Sequence, residues 1–340
     1  MTSRFRQSGL SLVELMVSVT IGLLVLAGIV TVFANSSAAR NEVDRTSRQI
    51  ENGRYASELL TEDLRLAGFY GEFDAGAVAA PGALPGDPCS LNAADWNAWI
   101  PLHLQGFENG AAFASANCTL TNHKPNTDVL VVRRARTCVA GTAGCDAAVA
   151  GKAYVQASLC QTQATAHVLG LQGTATFDRS LKDCTTTAGL REYYTRIYFI
   201  STDNGGGANV PTLKRLELTG SGWTTAPLVE GIEEFQLEYG LDNDGDGAPD
   251  EYVANPSDHP AGACTGACPV TNWRNVVTVR FHMLARNLEE SPGYTDAKTY
   301  VLGTDATGAA IERAPGGAYR RHVYSGLVRV VNPAGRRDQP

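Results

Sequence analysis

The sequence lacks the short motifs on which most enzyme active sites are built. It contains no nucleophile elbow, no metal-binding helix, no phosphate-binding loop and no dinucleotide-binding fingerprint. Its histidines stand singly along the chain, at His103, His123, His167, His259, His282 and His322. We therefore predict that the chain is not an enzyme and has no catalytic residue.

An excess of basic residues is also absent. The chain has 28 Lys and Arg against 35 Asp and Glu, a formal net charge of -7. Proteins that bind nucleic acids usually carry a basic face, so no direct nucleic-acid contact is predicted. Apolar residues make up 44% of the 340 residues, a composition typical of a globular protein with a packed core.

Charge is missing from one stretch near the N-terminus. From Leu15 to Ala34 the chain is apolar and uncharged, and about 20 such residues span a bilayer as a helix. Arg4 and Arg6 precede this stretch and would hold the N-terminus in the cytoplasm. Glu14 lies directly before it, and a carboxylate near hydrocarbon needs a partner. The pattern predicts one membrane span, with the rest of the chain exported.

Residues 9–15, Gly-Leu-Ser-Leu-Val-Glu-Leu, resemble the prepilin peptidase site of type IV pilins and type II secretion pseudopilins. The resemblance implies cleavage after Gly9, methylation of the Leu10 amine, and a role for Glu14 in registration between subunits. Leu10 stands where phenylalanine is commoner. The alternative is an ordinary secretory signal cut among the small residues 34–39; a glutamate behind a glycine favours the prepilin motif.

The helical pattern continues beyond the apolar stretch. Residues 40–67 contain no proline, Leu60 and Leu64 recur at helical spacing, and Gly68 is the predicted end. We predict a leader peptide at residues 1–9 and an N-terminal helix at residues 10–67. The helix comprises a transmembrane or pilus-core part at 15–34 and an amphipathic part at 40–67. A periplasmic β-rich head follows at residues 68–340.

Alternation of apolar and polar residues predicts strands in the head. They fall at residues 128–133, 192–200, 212–218, 231–239, 276–285 and 319–331, whereas residues 71–126 are predicted to be irregular with a short helix near Trp96. Arg320 and Arg321 are expected at the solvent side of a sheet edge. The expected fold class is α+β and type IV pilin-like: a long N-terminal helix packed on an antiparallel β-sheet head with large disulfide-containing loop insertions.

The first 88 residues contain no cysteine, and the exported part contains all eight. Because exported cysteines usually form disulfides, the simplest prediction pairs sequence neighbours. The predicted pairs are Cys89–Cys118, Cys138–Cys145, Cys160–Cys184 and Cys264–Cys268. The alternative is zinc at Cys264 and Cys268, but no second Cys or His pair stands at a suitable spacing.

An acidic loop follows the strand predicted to end at residue 239. Carboxylates at its first, third and fifth positions and a glycine at its sixth resemble the spacing of a Ca²⁺ loop. Residue 253 at the twelfth position is valine instead of glutamate, so the loop is not a full EF-hand; the alternative is a solvated turn. The predicted structural Ca²⁺ ligands are Asp242, Asp244, Asp246, Asp250 and Glu251.

Residues 49–71, 228–240, 273–280 and 320–325 resemble the corresponding segments of PilW-type minor type IV pilins. The resemblance implies processing by prepilin peptidase, single-pass insertion in the inner membrane and assembly with other minor pilins and the major pilin. It further implies a priming complex at the pilus tip, with adhesion, twitching motility and DNA uptake as consequences of the pilus. The alternatives are a J-type pseudopilin of type II secretion and a tip adhesin that binds through residues 71–190.

Overall fold

The computed structural model describes residue 9 and residues 11–111, 113–220, 222–259 and 268–337, without the side chain of Cys268. Residues 1–48 and residues 49–340 form two units. The helices are α1 (Leu12–Leu66), α2 (Ala93–Trp99), α3 (Cys268–Arg274) and α4 (Val331–Arg337). The strands are β1 (Leu104–Phe107), β2 (Val129–Ala135), β3 (Ala153–Ala157), β4 (His167–Leu171), β5 (Arg191–Ser201), β6 (Thr212–Thr219), β7 (Gly222–Glu230), β8 (Ile232–Leu241), β9 (Glu251–Val253), β10 (Val276–Arg286), β11 (Tyr300–Thr304), β12 (Ala310–Arg313) and β13 (Arg321–Arg329).

Helix α1 ends where the sequence predicts. Gly68 has a φ of 71°, the left-handed conformation that stops helices and that glycine adopts without strain. Its N–H donates to the Arg133 carbonyl oxygen at 2.9 Å, which joins the helix end to β2. Within the second unit, Leu60 and Leu64 are fully buried, so the apolar face predicted from their spacing is the face that packs.

The expected α+β class is confirmed, but the strands form three antiparallel sheets instead of one. The largest follows the order β1-β2-β5-β3-β4, and β6 adds to β5 and carries β7. A second sheet has the order β13-β10-β8-β9, and β11 pairs with β12 alone. Strand β5 is long enough to pair with β3 near its start and with β6 near its end. Sequence periodicity identifies single strands but does not indicate which strands pair with each other in which sheet.

One apolar core lies between α1 and the two larger sheets. Leu60 of α1, Leu130 of β2 and Phe281 of β10 belong to the same buried cluster. The packing is close at Gly53, where an added Cβ would lie 2.2 Å from the Tyr324 ring. The C-terminal part of α1 is therefore a structural element of the head.

Six short strands (β1, β3, β4, β9, β11 and β12) and the edge strand β7 escape the sequence prediction. Strands β1, β3 and β4 have four or five residues each, too few for a reliable alternating pattern. Strand β7 contains Thr224, Thr225 and Pro227, and it forms because every residue of β6 pairs with it, with one register shift at Lys214. Pairing within the folded sheet overrides weak local propensity.

Three of the four predicted disulfides are present. They join Cys89 to Cys118, Cys138 to Cys145 and Cys160 to Cys184. Cys264 and the side chain of Cys268 lie outside the described residues. The six sulfur atoms of these three pairs are thus engaged as cystines within residues 89–184, which leaves none of them as a metal ligand.

A buried carboxylate joins the two larger sheets. Asp128, directly before β2, accepts 2.7 Å hydrogen bonds from the N–H groups of Asn109 and Leu237. Its own N–H donates to the Phe235 carbonyl oxygen of β8 at 2.9 Å. Burial raises the pKa of Asp128 to about 7, although both N–H groups act in the opposite direction.

The Asp128→Asn variant tests this pKa. Folded Asp128 keeps its proton up to about pH 7, whereas an unfolded Asp titrates near pH 4. The protonated side chain of Asp128 therefore stabilises the folded state fully below about pH 4, and this stabilisation is lost as the pH rises through 7. We predict that the free energy of unfolding of the wild type, relative to the variant, falls by up to about 4 kcal/mol between pH 4 and pH 8.

Urea unfolding of both proteins across this pH range measures the difference. The comparison with the variant is needed because burial lowers the pKa of His103 to about 4, and that histidine changes stability in the opposite direction over the same window. A difference that does not vary with pH contradicts the prediction.

Candidate functional site

The processing motif lies at the start of α1. The Ser11 N–H donates to Glu14 Oε2 at 3.1 Å, and the Glu14 N–H donates to Ser11 Oγ at 3.2 Å. This reciprocal pair is a capping box, which satisfies N–H groups that have no partner inside the helix. The Ser-x-x-Glu spacing is visible in the sequence, and the sequence interpretation missed it. Glu14 thus has a structural role in its own chain as well as a charge at the helix N-terminus.

Two neighbouring residues complete the motif. Leu10, the predicted methylation site, lies outside the described residues. A Cβ added to Gly9 would meet nothing within 4 Å. Within the part of the chain that the structure describes, no packing contact therefore requires glycine at this position.

Beyond Glu14 the helix is uncharged up to Arg40, and its large apolar side chains are exposed. Leu24 and Phe33, for example, are 69% and 74% exposed. The helix is long and apolar enough to cross a membrane. Because exposing so many apolar side chains to water is unfavourable, this segment needs lipid or other helices around it.

The acidic loop connects β8 to β9 and is organised by Asp242. The buried side chain of Asp242 accepts hydrogen bonds from the N–H groups of Gly245 and Gly247 at 2.6 and 3.0 Å. Its Oδ2 also accepts from Arg337 Nη1 at 3.1 Å. Burial raises the pKa of Asp242, but these N–H groups and the guanidinium outweigh burial, so the pKa is lowered.

Three of the five predicted Ca²⁺ ligands come together. Carboxylate oxygens of Asp242, Asp244 and Asp250 lie within 4.8 Å of one another. Such oxygens are the hard donors that Ca²⁺ prefers. Arg337 already supplies one positive charge to Asp242.

The other two predicted ligands lie outside this group of three. Asp246 is outside the group of three and accepts a hydrogen bond from the Ala248 N–H at 2.7 Å. Glu251 Oε1 accepts from Asn243 Nδ2 at 2.8 Å and lies 3.0 Å from His259 Nε2. Regular spacing in the sequence therefore overstates how many side chains converge in the folded loop.

The structure contradicts the expectation for Arg321. Instead of lying in solvent, its side chain is buried, with Nε 2.6 Å from Glu233 Oε2 and Nη1 2.8 Å from Asp296 Oδ2. The prediction was wrong because the two carboxylates lie 88 and 25 residues away in sequence, where no local pattern connects them to Arg321. Arg320 is exposed, as expected.

Two family models match the chain. The family described as type IV pilus-assembly protein W matches residues 197–332, from β5 to the start of α4. The prokaryotic N-terminal methylation motif matches residues 4–30, which include Gly9 and Glu14. No curated protein and no solved structure matches the chain. The two matches cover the capped apolar helix and the strands around the acidic loop, and together they support the resemblance to PilW-type minor type IV pilins.

Proposed function

We propose that this chain is a minor pilin that starts or supports pilus growth in a tip complex with other minor pilins. In this proposal the precursor sits once in the inner membrane through residues 15–34, with its head in the periplasm. Prepilin peptidase cleaves it after Gly9, and the processed helix then packs against the major pilin and the other minor pilins. Adhesion, twitching motility and DNA uptake follow from the pilus instead of from an activity of this chain.

The observation that carries the proposal is the position of Glu14. It is the one charged residue among residues 11–39, and it lies in the first turn of an exposed apolar helix. Among the described residues only its Oε2 accepts a hydrogen bond. The second oxygen can meet a cation such as the α-amino group that cleavage creates, and apolar surroundings strengthen that attraction.

The Gly9 surroundings support processing by an external enzyme. Since an added Cβ meets no atom of the described residues, the proposal assigns the requirement for glycine to the peptidase.

A comparison of Glu14→Gln with Glu14→Ala tests the proposed role of the charge. Glutamine keeps a capping oxygen for the Ser11 N–H but removes the charge, whereas alanine removes both. We predict that wild type and Glu14→Gln are both cut after Gly9, as mass spectrometry of chains expressed with and without prepilin peptidase would show. Incorporation of Glu14→Gln into sheared pili should fall at least about tenfold, equivalent to about 1.4 kcal/mol of lost interaction.

Glu51→Gln is the matched control, because Glu51 is an exposed glutamate on the same helix. It should enter pili as the wild type does. Normal incorporation of Glu14→Gln together with poor incorporation of Glu14→Ala would contradict the charge role and assign Glu14 to helix capping alone.

We also propose that the acidic loop binds Ca²⁺ and is made more rigid by it. Asp242, Asp244 and Asp250 would be the protein ligands, with water completing the shell. Support comes from the convergence of their oxygens within 4.8 Å and from the repulsion among three carboxylates, which Arg337 offsets only at Asp242.

Thermal unfolding with about 1 mM Ca²⁺ or with a chelator tests this second proposal, since exported Ca²⁺ modules bind in about that range. We predict that Ca²⁺ raises the melting temperature by about 2 °C and that Asp244→Asn abolishes the increase. Asp246→Asn makes the same charge change in the same loop, outside the group of three, and should keep most of the increase. Equal loss in both variants, or no effect of Ca²⁺ on the wild type, contradicts the proposal.

A further inference from the structure

A cavity of about 230 Å³ lies beside the C-terminal end of α1. Gly68, which follows this helix, lines it together with Arg274, the last residue of α3. Arg336 and Arg337 of α4 also line it. The uncharged wall of the cavity includes three apolar side chains, those of Ile100, Pro101 and Pro333. The cavity thus combines guanidinium groups with an apolar wall.

Positive charges exceed negative charges around this cavity by one. Arg336 Nη1 pairs with Asp74 Oδ1 at 2.6 Å, and Arg337 Nη1 pairs with Asp242 Oδ2 at 3.1 Å. Within the described part of the chain, Arg274 forms no ion pair with a carboxylate. Three guanidinium groups therefore stand against two carboxylates. The remaining positive charge is that of Arg274.

Arg274 is held in place although its charge is not neutralised. Its Nη2 donates to the Gly76 carbonyl oxygen at 2.9 Å. Burial and the neighbouring Arg337 lower the pKa of Arg274, and Asp74 acts in the opposite direction. Two like charges that the fold keeps close together cost free energy, and an anion bound beside them removes part of this cost. The arrangement therefore disfavours the empty cavity and favours the binding of an anion.

Helix ends explain only one of these arginines. The C-terminus of a helix carries a partial negative charge that also attracts basic side chains. Arg337 serves this purpose, because its Nη2 donates to the Arg274 carbonyl oxygen at the end of α3 at 3.0 Å. Directly after α1, the Ala67 carbonyl oxygen accepts from Asn332 Nδ2 at 3.1 Å. The described hydrogen bonds of the Arg274 and Arg336 side chains go to carbonyl oxygens outside the four α-helices.

His103 lines the same cavity without adding charge. Its Nε2 lies 2.8 Å from the Val276 carbonyl oxygen, to which it donates. Burial lowers the pKa of His103 to about 4, so the ring is neutral at pH 7. The positive charge of the cavity therefore comes from guanidinium groups alone and persists at any pH at which the protein is folded.

Charge, shape and size together indicate the class of ligand. A guanidinium group binds a carboxylate or a phosphate through two parallel hydrogen bonds. One excess positive charge matches a single carboxylate, whereas a phosphate monoester carries about two negative charges at pH 7. The apolar wall favours an apolar group next to the carboxylate. The volume of about 230 Å³ is below the range of about 300–1,000 Å³ for drug-sized ligands, so the ligand is small.

We propose that this cavity binds a small monocarboxylate with a short apolar group. Arg274 donates hydrogen bonds to its carboxylate, and Ile100, Pro101 and Pro333 contact its apolar group. Arg336 and Arg337 keep their own carboxylate partners and fix the shape of the cavity. This binding activity is separate from pilus assembly and does not depend on it.

Thermal unfolding of the full chain in lipid nanodiscs tests the proposal, with isovalerate, isovaleramide and inorganic phosphate as probes at equal ionic strength. At about ten times its Kd, isovalerate should raise the melting temperature by about 2 °C. Isovaleramide has nearly the same shape without the charge and should cause no increase. No increase with isovalerate, or an equal increase with the amide or with phosphate, overturns the proposal.

Variants locate the binding at Arg274. Arg274→Gln removes the cation, keeps an amide that can donate to the Gly76 carbonyl oxygen, and should abolish the effect of isovalerate. Since it also removes the repulsion with Arg337, it should not lower the melting temperature of the ligand-free protein. Arg54→Gln makes the same change at an exposed position outside the cavity and should keep the full effect.

Three results with these variants contradict the assignment. A lower melting temperature of ligand-free Arg274→Gln would give Arg274 a structural role instead of a binding role. An effect of isovalerate that persists in Arg274→Gln would place the ligand elsewhere. Equal loss in Arg54→Gln would show a dependence on overall charge alone.

A carboxylate of this kind is found both in free organic acids and at the C-terminus of polypeptides. Acetyl-alanyl-valine with a free carboxylate distinguishes the two sources. Because the cavity is small, isovalerate should give the larger increase in melting temperature at equal concentration. A larger increase with the dipeptide would assign the site to a polypeptide C-terminus and overturn the assignment to a small acid.

Discussion

The buried charge of Asp63 is the interaction on which the placement of α1 in the head depends. Its Oδ1 lies 2.7 Å from guanidinium nitrogens of both Arg134 and Arg196, and its Oδ2 accepts a hydrogen bond from the Tyr198 hydroxyl. Burial raises the pKa of Asp63, but the two guanidinium groups and the hydroxyl outweigh burial, so the pKa is lowered. A buried charge is costly unless it is fully paired, and here the partners come from β2 and β5. The network therefore fixes which turn of α1 meets which strands.

Local sequence patterns predicted the parts of the chain that depend on local rules. The uncharged N-terminal stretch, the helix end at Gly68 and the strongly alternating strands β8 and β10 follow from composition and period. Asp63 was missed, although it stands three residues after Leu60 on the apolar face of the helix, where a carboxylate needs a buried partner. Its partners lie 71 and 133 residues away, so their identity depends on the fold. The same reason explains the error at Arg321.

In the acidic loop, too, some contacts follow from the local sequence and others depend on residues that are distant in sequence. The spacing of its carboxylates predicted a cation site, and three of the five side chains do converge. The arginine that binds Asp242 comes from α4, 95 residues later, and no loop pattern contains it. The family match at 197–332 includes this loop and the four-stranded sheet β13-β10-β8-β9. All three described disulfides lie before it, within residues 89–184. The head thus has one part that the family model matches and another part, outside the match, that disulfides cross-link.

Urea unfolding of Asp63→Asn, with Glu62→Gln as control, tests most directly whether the amphipathic half of α1 is held in the head by this charge. Both substitutions remove one negative charge from adjacent helix positions, but Glu62 is exposed and Asp63 is buried. Without the carboxylate two guanidinium groups remain buried beside a neutral side chain, so Asp63→Asn should lower the free energy of unfolding by about 3–5 kcal/mol. Glu62→Gln should change it by less than about 0.5 kcal/mol. Equal, small effects of the two substitutions would contradict the account and leave apolar packing alone to hold the helix.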